Sequence, residues 1–139
     1  MPTAQVTTPL LHRFLAMGIT MLAAVFVFLR STGFEPIPSS DSSTLVIGYS
    51  LSGLVVALLA VAFLVFKPRV PQQGPRQSIA EYWSSPDTTQ KVFLVWFLME
   101  GAAVMGAVGY LLTGQLASAV AMGVAIAVFW LNGPNTFAK

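Results

Sequence analysis

Four apolar stretches, at 10–29, 44–66, 92–113 and 116–131, alternate with polar ones along the chain. The first three reach the roughly 20 residues that a helix, rising about 1.5 Å per residue, needs to cross a hydrocarbon core of about 30 Å. The fourth run is shorter, and its last turn carries Trp130 ahead of Asn132. The pattern predicts an all-α, integral-membrane four-helix bundle, with helices over about 10–29, 44–66, 92–113 and 115–131 in a single membrane domain spanning 1–139.

Composition agrees with that pattern. Of the 139 residues, 55% are hydrophobic and 9% charged, against about 25% charged in an average soluble domain. A secretory signal peptide is a rival for the first run. No small-x-small cleavage site follows it, however, and "FLRSTGFEP" comes instead, so a mature helix is expected. Cysteine is absent, which excludes disulfides, iron–sulfur clusters and thiol catalysis. The formal charge of +2 is too small to imply a nucleic-acid partner.

Orientation follows from where the positive residues cluster, because Lys and Arg concentrate in cytoplasmic loops. Loop 67–91 carries Lys67, Arg69, Arg76 and Lys91, and Arg13 and Lys139 share its side if the helices alternate. The other face holds Arg30 with Glu35 and Asp41, plus the tight "TGQ" connection. Both termini and the long loop are therefore expected in the cytoplasm, and a bacterial inner membrane is the expected location. Within that loop Pro68, Pro71 and Pro75 exclude a continuous helix, whereas "QSIAEYW" can form one interfacial turn with Tyr82 and Trp83 at headgroup depth.

Small residues dominate the last two runs. Ala102 and Gly106 form one small-xxx-small step, and Ala119, Gly123 and Ala127 form a longer one. In lipid no hydrophobic force drives helices together, so close backbone approach through small residues has to supply the contact. Runs three and four are expected as a tight antiparallel hairpin, with a further small-residue surface left for another helix.

Glu100 is the only acidic residue inside a predicted span. It lies roughly 12 Å from the cytoplasmic edge counted from Val92, where an unpaired charge is costly. Either it forms an ion pair with Arg13 that fixes how the first and third helices meet, or it is protonated and exchanges a proton or sodium ion with a cavity or partner. His12 is the only histidine, which excludes a bis-histidine haem within one chain, and it is expected as a polar residue at the interface. Trp96 and Trp130 are candidates for interfacial anchoring or for contact with a pigment or quinone. Bound lipid is expected, and no cofactor or metal is predicted. No nucleophile with a positioned base, phosphate loop or metal-ligand cluster can be assembled, which argues against an enzyme.

Residues 44–113 resemble the proteolipid (c-type) hairpin of rotary ATP synthases. The likeness lies in two apolar helices joined by a polar loop, the second with a mid-membrane carboxylate, Glu100, and a glycine six positions later, Gly106. It implies an ion-binding role for Glu100. The loop is longer than the family's turn, and the alternating glycines of its first helix are missing from 44–66. The whole layout is also similar to small four-helix bacterial membrane proteins. Taken together, the residues lead us to expect a non-catalytic accessory subunit packed against larger subunits of a membrane complex, respiratory or photosynthetic; the alternative is an ion-translocating proteolipid-like subunit.

Overall fold

A computed structural model describes residues 4–138, with side-chain surroundings from Thr7 onward. It is all-helical among those residues, with five α-helices: α1 (Ala4–Ser31), α2 (Ser43–Val61), α3 (Ile79–Ser84), α4 (Pro86–Thr113) and α5 (Leu116–Leu131). Helices α1, α4 and the continuous stretch from α2 to Arg69 are long and apolar enough to cross a membrane, whereas α5 is shorter.

The helices overrun their apolar cores. α4 starts at Pro86, six residues before the hydropathy boundary, because Pro86 occupies the first turn, where a missing N–H costs nothing, and Asp87 stands at the positive end of the helix dipole. α1 passes through Pro9 within its own first turns. At the other end of α2 the winding changes: a π-turn over Ala62–Phe66 leads into a 3-10 turn over Lys67–Arg69, with Pro68 preventing a return to α-helix. Lys67 is half-buried at this rewinding.

α4 is the central post and packs against α1, α2 and α5. Its inward positions, among them Val92, Val95, Trp96, Met99, Ala102, Ala103 and Gly106, are buried. By contrast α1 and α2 leave most of their surface open, and Phe14, Leu64, Phe97, Leu116 and Leu131 are all at least 70% exposed. So much outward apolar surface suits lipid or other protein and would aggregate in water.

The α4–α5 hairpin turns at Gly114, whose φ of +64° is left-handed. Its N–H donates to the Tyr110 carbonyl at 2.7 Å, closing the helix. Arg30 lies directly over the glycine, where a Cβ would overlap its guanidinium, and it bonds the Phe34 carbonyl at 3.3 Å and approaches Glu35 at 3.8 Å. Gly114→Ala is expected to lower stability by about 1–2 kcal/mol from backbone strain alone, read as a drop in thermal midpoint in detergent. An unchanged midpoint would show that the turn relaxes.

The 67–91 segment is tucked against the bundle. α3 opens with a capping box: the Ser78 hydroxyl accepts from the Glu81 N–H at 3.2 Å, and the Glu81 carboxylate accepts from the Ser78 N–H at 2.8 Å. Tyr82 and Trp83 are 1% and 2% exposed, so their rings pack inside the fold. The Tyr82 hydroxyl donates to the Pro71 carbonyl at 2.8 Å, and burial pushes its ionisation above the usual tyrosine range.

The hydrogen bond from the Ser78 N–H holds the Glu81 carboxyl below its ordinary range. Its stabilisation of α3 is therefore present above the ordinary carboxylate range and lost as pH falls through the depressed value. Hydrogen exchange of the α3 amides is expected to accelerate on acidification in the native chain but to be fast and pH-insensitive, beyond intrinsic exchange, in Glu81→Ala, which removes the titrating acceptor. Equal protection in the two chains would refute the cap.

Candidate functional site

Two groups of polar residues stand out against the apolar bundle. The first is buried where the helix ends meet the 67–91 segment. On α1 the positions Thr8, His12, Ala16, Ile19 and Ala23 recur at helical spacing and are all buried. His12 faces inward among them, 3% exposed, stacked on Phe129 at 4.7 Å and tilted against Trp96 at 4.8 Å. Its Nε2 lies 3.0 Å from the Phe129 carbonyl, which only accepts, so Nε2 carries a proton. His12 is thus buried between helices, whatever its depth in a membrane.

Trp96 is the hub of this cluster. It is fully buried, its indole N–H donates to the Asn132 carbonyl at 2.7 Å, and Trp83, Phe93 and Phe137 pack around its ring. The Asn132 side chain accepts from Lys67 Nζ at 2.7 Å and donates to the Val128 carbonyl at 2.8 Å. Lys67 also lies over the Phe63 ring at 4.7 Å. The cluster joins α1, the end of α2, α4 and the turn after α5. Trp96 is sealed away from any bound pigment, and of the two tryptophans weighed for such contact only Trp130, 46% exposed, faces outward. No buried side-chain nitrogen or oxygen among the described residues is left without a partner. A satisfied network of this kind locks helix register.

No family model, curated protein or solved structure matches this chain.

The second group consists of the charges in the long helices. Glu100 lies near the middle of α4, half-buried at the edge of its outward face. Together with Phe97, Gly101, Val104 and Met105 it lines an open groove of about 260 Å³. Gly101 forms a notch there, since a Cβ on it would meet nothing within 4 Å. Arg13 is exposed on α1. Among the described residues neither Arg13 nor Glu100 has a hydrogen-bond or ion-pair partner; the ion pairs are Arg30–Glu35 and Lys91–Asp87.

Arg13 and Glu100 are thus not joined within the chain, contrary to the expected pair, and helical geometry gives the reason. Arg13 and Thr20 are seven residues apart and share a face of α1, and Thr20 accepts a bond from Trp130 of α5 at 3.1 Å. Glu100 shares a face of α4 with Phe93, which lines a groove with Thr7 and Thr8 on the opposite flank of α1. The body of α1 stands between the two charges.

The small-residue positions divide. Ala102 and Gly106 are buried, and a Cβ on Gly106 would meet Met122 Cα at 2.7 Å and N at 2.8 Å, so the two backbones touch there. Ala119 is half-buried, while Gly123 and Ala127 are exposed and Gly123 has open space around it. The inward face of α5 is instead Ser118, Met122, Ala125 and Phe129. Of the 119–123–127 stripe, Gly123 and Ala127 therefore face outward and are not packed on another helix of the described residues.

The polar side chains within the spans do not converge on one path. Ser52 bonds back to the Gly48 carbonyl at 2.7 Å, Thr20 bonds back to the Ala16 carbonyl at 2.7 Å, and Ser50 is exposed. Among the described residues no three His, Asp or Glu side chains are grouped to hold a metal.

Proposed function

We propose that this chain is a non-catalytic integral-membrane subunit of a larger membrane protein assembly, working through contacts between helices. The observation that carries this reading is Glu100: a carboxylate in the middle of a membrane-length helix, opening outward through a glycine notch and lacking any partner among the described residues. Facing hydrocarbon, an ionised carboxylate costs several kcal/mol. A neighbouring protein that supplies a donor removes that cost. The outward glycine and alanine of α5 add a second surface on which a helix can pack closely.

We further propose four crossings with both termini in the cytoplasm of a bacterial inner membrane. The bond from Trp96, about three turns into α4, to Asn132 after α5 supports the fourth crossing, because α5 runs back along α4 to within a few residues of the apolar boundary at Val92. Lys67, Arg69, Arg76 and Lys91 gathered at that end support the orientation. A respiratory or photosynthetic host is proposed by analogy with where small polytopic subunits occur.

Mild detergent extraction of a tagged chain from its native membrane, followed by native-size separation and identification of co-migrating proteins, tests this. Stoichiometric recovery with larger membrane subunits is expected. Recovery of the chain without any other subunit would refute the reading.

An ion-carrying proteolipid-like role is the second reading, and it draws on the same outward carboxylate. It requires that a carboxyl-reactive carbodiimide label Glu100 and that Glu100→Gln abolish ion transport while leaving assembly intact. Gly106 separates the readings further, since within this chain it is already occupied by the backbone of α5.

A further inference from the structure

We infer that the group meeting Glu100 is Arg13 of a second copy of this chain, so that two copies lie side by side in the same orientation, joined through the α4 groove and α1. The inference rests on reading Glu100 as an assembly contact and names its partner.

Three observations converge. Arg13 and Glu100 are opposite charges within membrane-length helices, and neither is paired among the described residues. They lie at matching depth: the residue before Arg13, His12, packs against Trp96, so Arg13 is level with Trp96 and about 6 Å, one helical turn, from Glu100. An arginine side chain covers that distance. Finally, the two charges flank α1 on opposite sides, which blocks pairing within the chain and turns each charge toward a neighbour.

Copies in the same orientation keep the depths matched, because α1 and α4 both run away from the end that carries the 67–91 segment. The Arg13 flank of one copy then faces the Glu100 groove of the next. A guanidinium presents a fork of donors that suits a carboxylate, and satisfying both charges in lipid removes two desolvation penalties at once. The flanking residues fit: Met17, one turn beyond Arg13, is 57% exposed and comes level with the open notch at Gly101.

The chain contains no cysteine, so introduced thiols report without background. Two differently tagged copies, one Met17→Cys and one Gly101→Cys, are co-expressed and oxidised in the native membrane with Arg13 and Glu100 both intact. The expected result is a covalent dimer carrying both tags, at least about fivefold more abundant than dimers formed by either variant alone. Glu100→Arg added to the Gly101→Cys copy is expected to abolish it, and Arg13→Glu added to the Met17→Cys copy to restore it. No cross-link, equal cross-linking in the single-variant controls, or a cross-link indifferent to charge reversal would each overturn the inference.

Because the cysteine pair keeps both charges, misfolding of a charge variant cannot produce the first two outcomes. The subunit reading fails separately. Larger subunits that co-purify without a cross-link would leave that reading standing and sink the inference, and a cross-link in the absence of other subunits would do the reverse.

Discussion

Gly106→Val is expected to destabilise the α4–α5 hairpin by about 1–3 kcal/mol, the usual cost of forcing extra atoms into a packed interface. The atoms that a side chain would strike, Met122 Cα and N, belong to backbone, so no rotamer change relieves the overlap. Either α5 moves away as a unit or α4 bends. Gly123→Val is the matched control, because its Cβ enters open space and an effect within about 0.5 kcal/mol is expected. Unfolding in a mixed-detergent titration, followed by far-UV circular dichroism, measures both. If the two substitutions cost the same, Gly106 does not hold the helices together and the close approach is wrong.

Trp96→Ala should have the largest effect, about 3–5 kcal/mol, as expected for deleting a fully buried aromatic side chain. It empties the space between His12, Trp83, Phe93 and Phe137 and leaves the Asn132 carbonyl without its donor. Trp96→Phe bears on the two contributions, since it keeps a buried six-membered ring while losing the N–H together with part of the indole volume. A buried acceptor left unsatisfied costs about 1–3 kcal/mol. Trp130→Ala provides the comparison, because that ring is 46% exposed. The same titration decides: a phenylalanine variant as stable as the native chain would show that the Asn132 bond contributes nothing, and an alanine variant no worse than Trp130→Ala would remove Trp96 from the centre of the cluster.

Both predictions concern how the bundle is held together, and both bear on the proposed assembly. A neighbour can dock only against a surface whose shape is fixed. Gly106 sets the spacing of α4 and α5, while the Trp96 cluster ties the third turns of α1 and α4 to the end of α5. With these in place, the Glu100 groove and the Arg13 flank keep fixed positions on either side of α1.

Some of this was legible in the residues. Apolar runs near 20 residues long located α1, α2 and α4 to within a few residues at the end facing the "TGQ" turn, because the need to satisfy every backbone group in hydrocarbon leaves a continuous helix as the solution. Ser78 followed three positions later by Glu81 is a local signal of a helix start, since the two side chains can cap each other's N–H groups without help from the rest of the fold. The approach at Ala102 and Gly106 was legible because a glycine four residues from an alanine on one helix face is a flat strip. At the polar ends hydropathy was silent. It reports where a chain meets lipid, so the extra turns of α4 from Pro86 and the π-turn at Ala62–Phe66 left no signal in it.

By itself the sequence determined the helical class, the membrane-length spans and the presence of one carboxylate and one arginine within them, since these depend on local periodicity and composition. Only the tertiary structure decided which way each face turned. A helix that is apolar all round has no preferred face of its own, so whether Gly106 or Gly123 met a neighbour, whether His12 pointed inward, and whether α1 stood between Arg13 and Glu100 were set by how the other helices packed around α4.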